Sequence, residues 1–249
     1  MIKSLRVRKS QGSQYIPVLR EAVPAGFRAK PVIAPADCLP ACTACQAVCP
    51  SGAIALPAMQ IDLGRCVLCG DCEPVCPAGK ISFSNDFRLA STQRNGLFVS
   101  AEHPDIDPIA VSEALHKRYG RSMKLRSVSA GGCNGCEMEI NAMSNVNFDF
   151  GRYGIDMVAS PRHADGLVLS GPISRNMVSA LHSCWQAIPD PKIVIAVGAC
   201  AISGGVFAEC DEIDRTFIES FKPSLYVPGC PAHPLSIIAG IMDLLGIAD

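Results

Sequence analysis

Net charge is almost absent from this chain: 22 basic and 23 acidic side chains among 249 residues leave a formal charge of −1. Without a positive field, binding to nucleic acid through bulk charge is excluded. Charged residues reach only 18% against 49% hydrophobic, the opposite of the balance that keeps a chain disordered. A Gly-x-Gly-x-x-Gly dinucleotide fingerprint is missing, so direct nicotinamide binding has no support. No apolar core of a secretion signal follows the basic start from Met1 to Ser10, and the thiols are therefore expected in a reducing compartment. The uncharged run Ile193 to Ala208 is broken by Gly198, Ser203, Gly204 and Gly205 and falls short of the roughly 20 residues of a crossing helix. Membrane attachment is expected through partners.

Cysteine is what the chain has in excess, with 14 residues. In a reducing compartment, clustered cysteines point to metal before disulfides. Eight lie in one block, Cys38, Cys42, Cys45, Cys49, Cys66, Cys69, Cys72 and Cys76. The block is an internal repeat, since Cys42, Cys45 and Cys49 recur as Cys69, Cys72 and Cys76. Proline follows each fourth cysteine (Pro50, Pro77), and a short strand-like run comes next, Ala53–Leu56 or Ile81–Phe83. Half-units this short cannot bury enough surface to fold alone, so their stability must come from what the thiolates bind. Zinc sites pair two separated C-x-x-C knuckles. Here Cys66-x-x-Cys69-x-x-Cys72-x-x-x-Cys76-Pro77 packs three ligands into seven residues, the spacing in which three thiolates wrap one 4Fe–4S cubane and the fourth crosses to its neighbour. That rule groups Cys66, Cys69 and Cys72 with Cys49, and Cys38, Cys42 and Cys45 with Cys76. The block resembles the bacterial two-cluster ferredoxin domain over about Pro31 to Asn85. One departure stands out: three residues separate Cys38 from Cys42 where the family has two, which alters hydrogen bonding to sulfur and hence the potential.

From Lys124 onward, short apolar runs alternate with helix-length segments. The expected strands are Leu125–Val128, Ile155–Val158, Leu167–Leu169, Ile193–Val197 and Leu225–Val227. The expected helices are Glu137–Met143, Ser174–Ala187, Ile213–Phe221 and Pro234–Leu245. This alternation predicts an α/β parallel sheet covered on both faces. A further helix is expected over Pro108–Tyr119, with Asp107 as its N-cap and Gly120 as its stop, after a connector from Ser84 to Pro104 of little regular structure. Four more cysteines, Cys133, Cys136, Cys200 and Cys230, leave the carboxyl ends of predicted strands, the edge where open α/β sheets bind ligands. Each is set among glycines, which let backbone N–H groups approach sulfide. Together they can hold a third cubane, whereas a catalytic dithiol at Cys133-x-x-Cys136 leaves Cys200 and Cys230 unexplained.

The motifs Gly132-Cys133-Asn134-Gly135-Cys136-Glu137, Ser160-Pro161-Arg162-His163-Ala164-Asp165, Gly198-Ala199-Cys200-Ala201-Ile202-Ser203-Gly204-Gly205 and Val227-Pro228-Gly229-Cys230-Pro231 resemble the electron-transfer small subunit of nickel–iron hydrogenases. That family includes the complex I subunit that carries the terminal cluster. The resemblance covers roughly Leu125 to Gly246. It implies a flavodoxin-like doubly wound sheet, a 4Fe–4S cluster on Cys133, Cys136, Cys200 and Cys230, and a large partner subunit with the catalytic centre. Complex I subunits have adjacent cysteines at the first motif, so the two residues between Cys133 and Cys136 resemble membrane-associated group 4 hydrogenases of the formate hydrogenlyase type.

The resulting expectation is an N-terminal arm (1–30), a small α+β ferredoxin-like domain (31–85), a connector and helix (86–123) and a flavodoxin-like cluster-binding domain (124–249). It carries three 4Fe–4S clusters and relays electrons for proton reduction or hydrogen oxidation. The expected partners are a nickel–iron-type large subunit, other subunits of a membrane-associated complex, and an external ferredoxin or a formate or CO dehydrogenase module as donor, with no nucleic acid. The expected location is cytoplasmic, peripheral to the inner membrane. A complex I-like subunit passing electrons to quinone and a stand-alone ferredoxin-like carrier are the rival readings.

Other residues carry weaker signals. Glu137 reads equally as a proton relay or as a first-turn acid favoured by the helix dipole. Arg162 and His163 read as a partner contact or plain loop, His233 as no ligand, Cys184 as a buried helix residue and Cys210 as a loop thiol. His103 and His116 are expected to face solvent. The arm has seven basic residues (Lys3, Arg6, Arg8, Lys9, Arg20, Arg28, Lys30) against Glu21 and reads as partner-docking.

Overall fold

The computed structural model describes residues 2–12, 14–24 and 26–248. The first residue and two interior positions of the predicted arm, and the last residue of the chain, lie outside them.

The chain opens with α1 (Ile2–Gln11), an exposed helix with no apolar face. It then runs through β1 (Pro31–Ile33), α2 (Ala44–Val48), β2 (Ile54–Ala55), β3 (Gln60–Asp62), β4 (Ile81–Phe83) and β5 (Phe98–Val99). After α3 (Glu113–Tyr119) come β6 (Met123–Ser129), α4 (Gly135–Ala142), β7 (Ile155–Met157), β8 (Gly166–Ser170), α5 (Arg175–Ala187), β9 (Ile193–Val197), α6 (Ala199–Ser203), α7 (Thr216–Ser220), β10 (Leu225–Val227) and α8 (Pro234–Leu245).

The last five strands form one parallel sheet in the order β10-β9-β8-β6-β7. Numbered within that sheet the order is 2-1-3-4-5, the flavodoxin-like doubly wound arrangement. Every residue of β8 and β9 is buried, because these interior strands are covered on both faces. α8 is apolar nearly all round and accordingly enclosed, with only Asp243 of its twelve residues escaping burial. Asp243 meets Arg20 of the arm at 2.7 Å. Beside that pair Leu19 is fully buried, Ile16 N–H donates to Asn147 O, and Arg152 Nη2 donates to Ile16 O. Much of the arm beyond α1 is therefore spent on this chain's own surface rather than held out for a partner.

Two findings depart from or add to the sequence expectation. The helix expected from Pro108 begins five residues later, with Ser112 as its cap: Ser112 Oγ accepts from Leu115 N–H at 3.4 Å. Upstream, Asp107 N–H donates to Gly96 O and Ser112 N–H to Leu244 O, tertiary bonds that hold this segment extended and override its local start signal. Likewise the Ser84–Pro104 connector, although it has the little regular structure expected of it, is not a loose link. β5 adds an edge to β3 in an antiparallel β2-β3-β5 sheet, and Ser91 exchanges both backbone bonds with Tyr226 on β10. Phe87, Leu89, Leu97 and Val99 on this segment are each at most 2% exposed. One continuous core joins Ile33, Ile54, Ile61 and Leu63 of the cysteine-rich half to Leu167, Leu169, Trp185 and Phe217 of the sheet half. The small half is thus welded onto one face of the large one.

Candidate iron–sulfur sites

The 27-residue repeat read from the cysteines extends into the backbone. Ala41 and Leu68 both adopt left-handed conformations, φ 57° and 56°, and Gly52 and Gly79 do the same at 59° and 57°. Ala53 N–H donates to Cys49 Sγ at 3.3 Å, and its repeat mate Lys80 N–H donates to Cys76 Sγ at 3.3 Å. The halves are in register from Ala41 onward, so the extra residue after Cys38 is absorbed upstream, in a turn closed by Cys42 N–H to Leu39 O. In the second half Leu68 N–H donates to Cys66 Sγ at 3.4 Å; among the described residues Cys38 receives no such bond. Arg28 adds a further asymmetry by donating to the carbonyls of Leu68 and Cys69.

Two cavities lie in this half. One is lined by Cys49, Cys66, Cys69 and Cys72 between apolar walls that include Ile54, Ile61 and Phe83. The other is lined by Cys38, Cys42, Cys45 and Cys76 with Met59. Each holds three thiols from one repeat and the fourth from the other. Among the described residues, no group of three or more His, Cys, Asp or Glu is placed to hold a single metal ion. One tetrahedral zinc draws its sulfurs to within roughly 4 Å of each other; four thiols spread around an apolar cavity fit a cage in which each iron takes one thiolate. Burial pushes the Cys66 thiol up to about 12, reinforced by Cys49, Cys72 and Cys69 against a bond from Leu68. It pushes Cys72 up to about 11, with Cys69 and Cys49 adding to it. Thiolates in such surroundings need cationic neutralisation, which irons supply.

The third group gathers at the carboxyl edge of the parallel sheet, beyond the β6/β8 switch point. Cys133 and Cys136 follow β6, Cys200 sits in α6 after β9, and Cys230 follows β10. The four are neighbours. Burial raises Cys136 to about 12 and Cys200 to about 11; Glu137, Cys200 and Cys230 act further on Cys136, and Cys230 and Cys133 on Cys200. Cys133 and Cys230 are exposed, so this group opens to the surface. Two glycines leave room for it. A Cβ on Gly198, at φ +90°, would lie 2.5 Å from Cys136 Sγ, and one on Gly205 would lie 3.1 Å from Cys200 Sγ. Exposed Met138, Val206 and Phe207 lie on the segments that carry Cys136 and Cys200.

Glu137 turns away into the protein. Ser170 Oγ donates to its Oε1 at 2.8 Å. Burial alone would raise the carboxyl, but bonds from Ser129, its own backbone and Ser170 outweigh that and hold it below the ordinary range. A carboxylate held ionised this way suits anchoring the first turn of α4. His233 caps α8, its Nδ1 accepting from Leu235 N–H at 3.2 Å, and its ring packs 4.7 Å from that of Phe27. Arg162 and His163 sit exposed in a short turn. His103 and His116 are exposed as well, although His116 Nδ1 meets Leu245 O at 2.6 Å. Cys184 is only half-buried, and Cys210 is exposed.

Sequence reasoning missed the residues between the groups. Arg94 clamps Asp62 through two bonds, 2.7 and 2.6 Å, and Asp62 Oδ1 also accepts from Gly64 N–H at 2.8 Å. A Cβ on Gly64 would lie 2.8 Å from Ile202 Cγ2. The loop leading to Cys66 therefore touches the helix that carries Cys200, which makes the Cys49/Cys66/Cys69/Cys72 group the inner one of the small half. Only the Asp62-x-Gly64 turn had a local signal; Arg94 is 32 residues away from its carboxylate.

A doubly wound sheet with thiols at its switch-point edge, fused to a duplicated four-thiol module, defines an iron–sulfur subunit of an oxidoreductase. The chain belongs to the family described as NADH ubiquinone oxidoreductase, 20 Kd subunit, which it matches over residues 133–244, and residues 58–81 match a 4Fe-4S binding domain. It is 39% identical to "Probable membrane-bound hydrogenase subunit mbhJ" of Pyrococcus furiosus, over 51% of this chain and 77% of that one. It is 40% identical to formate hydrogenlyase subunit 7 of Escherichia coli, over 56% of this chain, and spans only 55% of that relative's length. It is also 38% identical to an NADH-quinone oxidoreductase subunit of Geotalea daltonii, over 44% of this chain and 64% of that one. No helix among the described residues is long and apolar enough to cross a membrane.

Proposed function

We propose that this chain is the electron-transfer subunit of a membrane-associated, multi-subunit nickel–iron hydrogenase, serving proton reduction or hydrogen oxidation in a large partner subunit. Cys38, Cys42, Cys45 and Cys76 hold one 4Fe–4S cluster, Cys66, Cys69, Cys72 and Cys49 a second, and Cys133, Cys136, Cys200 and Cys230 a third. The clusters supply one-electron redox chemistry, and the chain makes no bonds in substrate. Its own residues fix the donors, wall the two cavities of the small half with apolar side chains, and join the halves at Gly64 and Ile202. The order that follows is the Cys38 group outermost, the Cys66 group in the middle and the Cys200 group facing the partner, with an external ferredoxin or a formate or CO dehydrogenase module as donor.

The observation that carries the hydrogenase reading is the Cys133-x-x-Cys136 spacing at an edge flanked by exposed Met138, Val206 and Phe207, because an apolar lip left in water around a surface-open redox site suits permanent docking. The relatives named for hydrogen chemistry lend support. Attachment to the cytoplasmic side of the inner membrane would then come through the partner subunits. Purification of the tagged full chain from membranes of its host, with nickel analysis and hydrogen-evolution assay, tests this. Nickel and hydrogen activity that co-purify support it; a nickel-free complex that reduces quinone replaces it with the complex I-like alternative, and a chain recovered alone replaces it with the free-carrier one.

A further inference from the structure

Arg215, in the loop before α7, spreads its guanidinium over the helix that carries Cys200. Nη1 donates to Pro172 O and Cys200 O, each at 3.2 Å, and Nη2 to Ala201 O at 2.6 Å and Ile202 O at 2.9 Å. α6 is only five residues long, so its carbonyls have few partners of their own and a side chain must satisfy them. Arg20, Arg88 and Arg94 each meet a carboxylate within ion-pair distance. Arg215 meets none among the described residues, although it is half-buried and bound to neutral oxygens alone. Burial draws it below the ordinary arginine value, against the pull of Glu219 and Cys200. A desolvated cation left without a counter-charge is costly, and the negative charges that act on it are the Glu219 carboxylate and, at the sheet edge, Cys200.

We propose that Arg215 is a positioning and tuning cation for the cluster held by Cys133, Cys136, Cys200 and Cys230: its fork fixes the backbone of the Cys200 ligand, and its unpaired charge favours the reduced state of that cluster over the oxidised one. The inference rests on the ligand reading given above. Reduction adds one negative charge to the cluster, and a fixed positive charge in a poorly hydrated setting stabilises the more negative state. Removing the charge therefore lowers the potential of this cluster alone.

The test is an electron paramagnetic resonance redox titration of the cluster-loaded full chain in four forms: wild type, Arg215→Lys, Arg215→Gln and Cys200→Ala. At the poise where the wild-type third cluster is half reduced, Arg215→Gln should lower its reduced-to-oxidised ratio about tenfold, a shift of about 59 mV for a one-electron couple. Arg215→Lys should stay within about threefold of wild type, and the other two signals should not move. A Gln variant that titrates with the wild type overturns the inference. If Arg215→Gln does not load the third cluster, Arg215→Lys decides: a loaded cluster near the wild-type potential upholds it, whereas a displaced potential or loss of the cluster in both variants overturns it and leaves Arg215 a purely structural cap. Wild-type protein with no third signal, or Cys200→Ala that retains it, refutes the ligand reading itself, an outcome distinct from a loaded Gln variant at an unchanged potential.

Discussion

Replacing Arg94 with methionine should loosen the junction between the two halves of the molecule, and the structure says by how much. Arg94 and Asp62 form two parallel bonds of 2.7 and 2.6 Å. The Asp62 side chain is 10% exposed and that of Arg94 30%. Removing one partner of a buried pair costs about 3–5 kcal/mol, mostly from the orphaned charge. Partial exposure of Arg94 lets water reach the vacated position, which reduces this to about 2–3 kcal/mol. The stack of the guanidinium on Phe98, at 5.5 Å, is lost too and adds about 0.5 kcal/mol. A cofactor-loaded, multi-part chain does not unfold in two states, so the assay is kinetic: anaerobic bleaching of the iron–sulfur absorbance in fixed denaturant with an iron chelator. If the pair is already broken at the barrier, bleaching of Arg94→Met speeds up roughly seventy- to four-hundredfold. The origin of the effect is tested by adding Asp62→Asn, which keeps an acceptor for Gly64 N–H but removes the orphaned charge. The double variant should bleach more slowly than Arg94→Met alone. Additive acceleration, or an Arg94→Met rate within about twofold of wild type, refutes the orphaned-charge argument.

Gly198→Ala should abolish the third cluster signal and spare the other two, because a Cβ there would sit 2.5 Å from Cys136 Sγ at a φ of +90°; a normal third signal contradicts the cradle. His233 is held below its ordinary value by burial, so the folded state favours the neutral ring whose Nδ1 caps α8. Below about pH 6.5 the unfolded chain binds more protons than the folded one, so this contribution is complete above that pH and is lost as pH falls. Chelator-driven bleaching rates of wild type and His233→Asn in fixed denaturant should therefore converge between pH 7.5 and 5.5, and a constant ratio between them counts against the assignment.

Much of the fold was legible because its signals are local. β9, β10 and α8 have the boundaries read from hydrophobic runs and from the proline at the head of α8, and the thiols that the cysteine spacing groups line two separate cavities. The misread helix start at Asp107 and the close tethering of the connector share another cause. Both are decided by bonds to residues far along the chain, Asp107 to Gly96, Ser112 to Leu244 and Ser91 to Tyr226, which no window of sequence contains. The same holds for the site. Its cysteines announce themselves by spacing, whereas Arg94 and Arg215 act on partners 32 and 15 residues away and carry no motif.

Iron and acid-labile sulfide counted per chain, together with electron paramagnetic resonance of the reduced protein before and after Cys200→Ala, bear most directly on twelve cysteines forming three four-thiol cages. About twelve irons in the wild type, falling to about eight with the loss of a single signal, is the predicted outcome. Zinc in place of iron, about eight irons in the unmodified chain, or the collapse of every signal in the variant would contradict it.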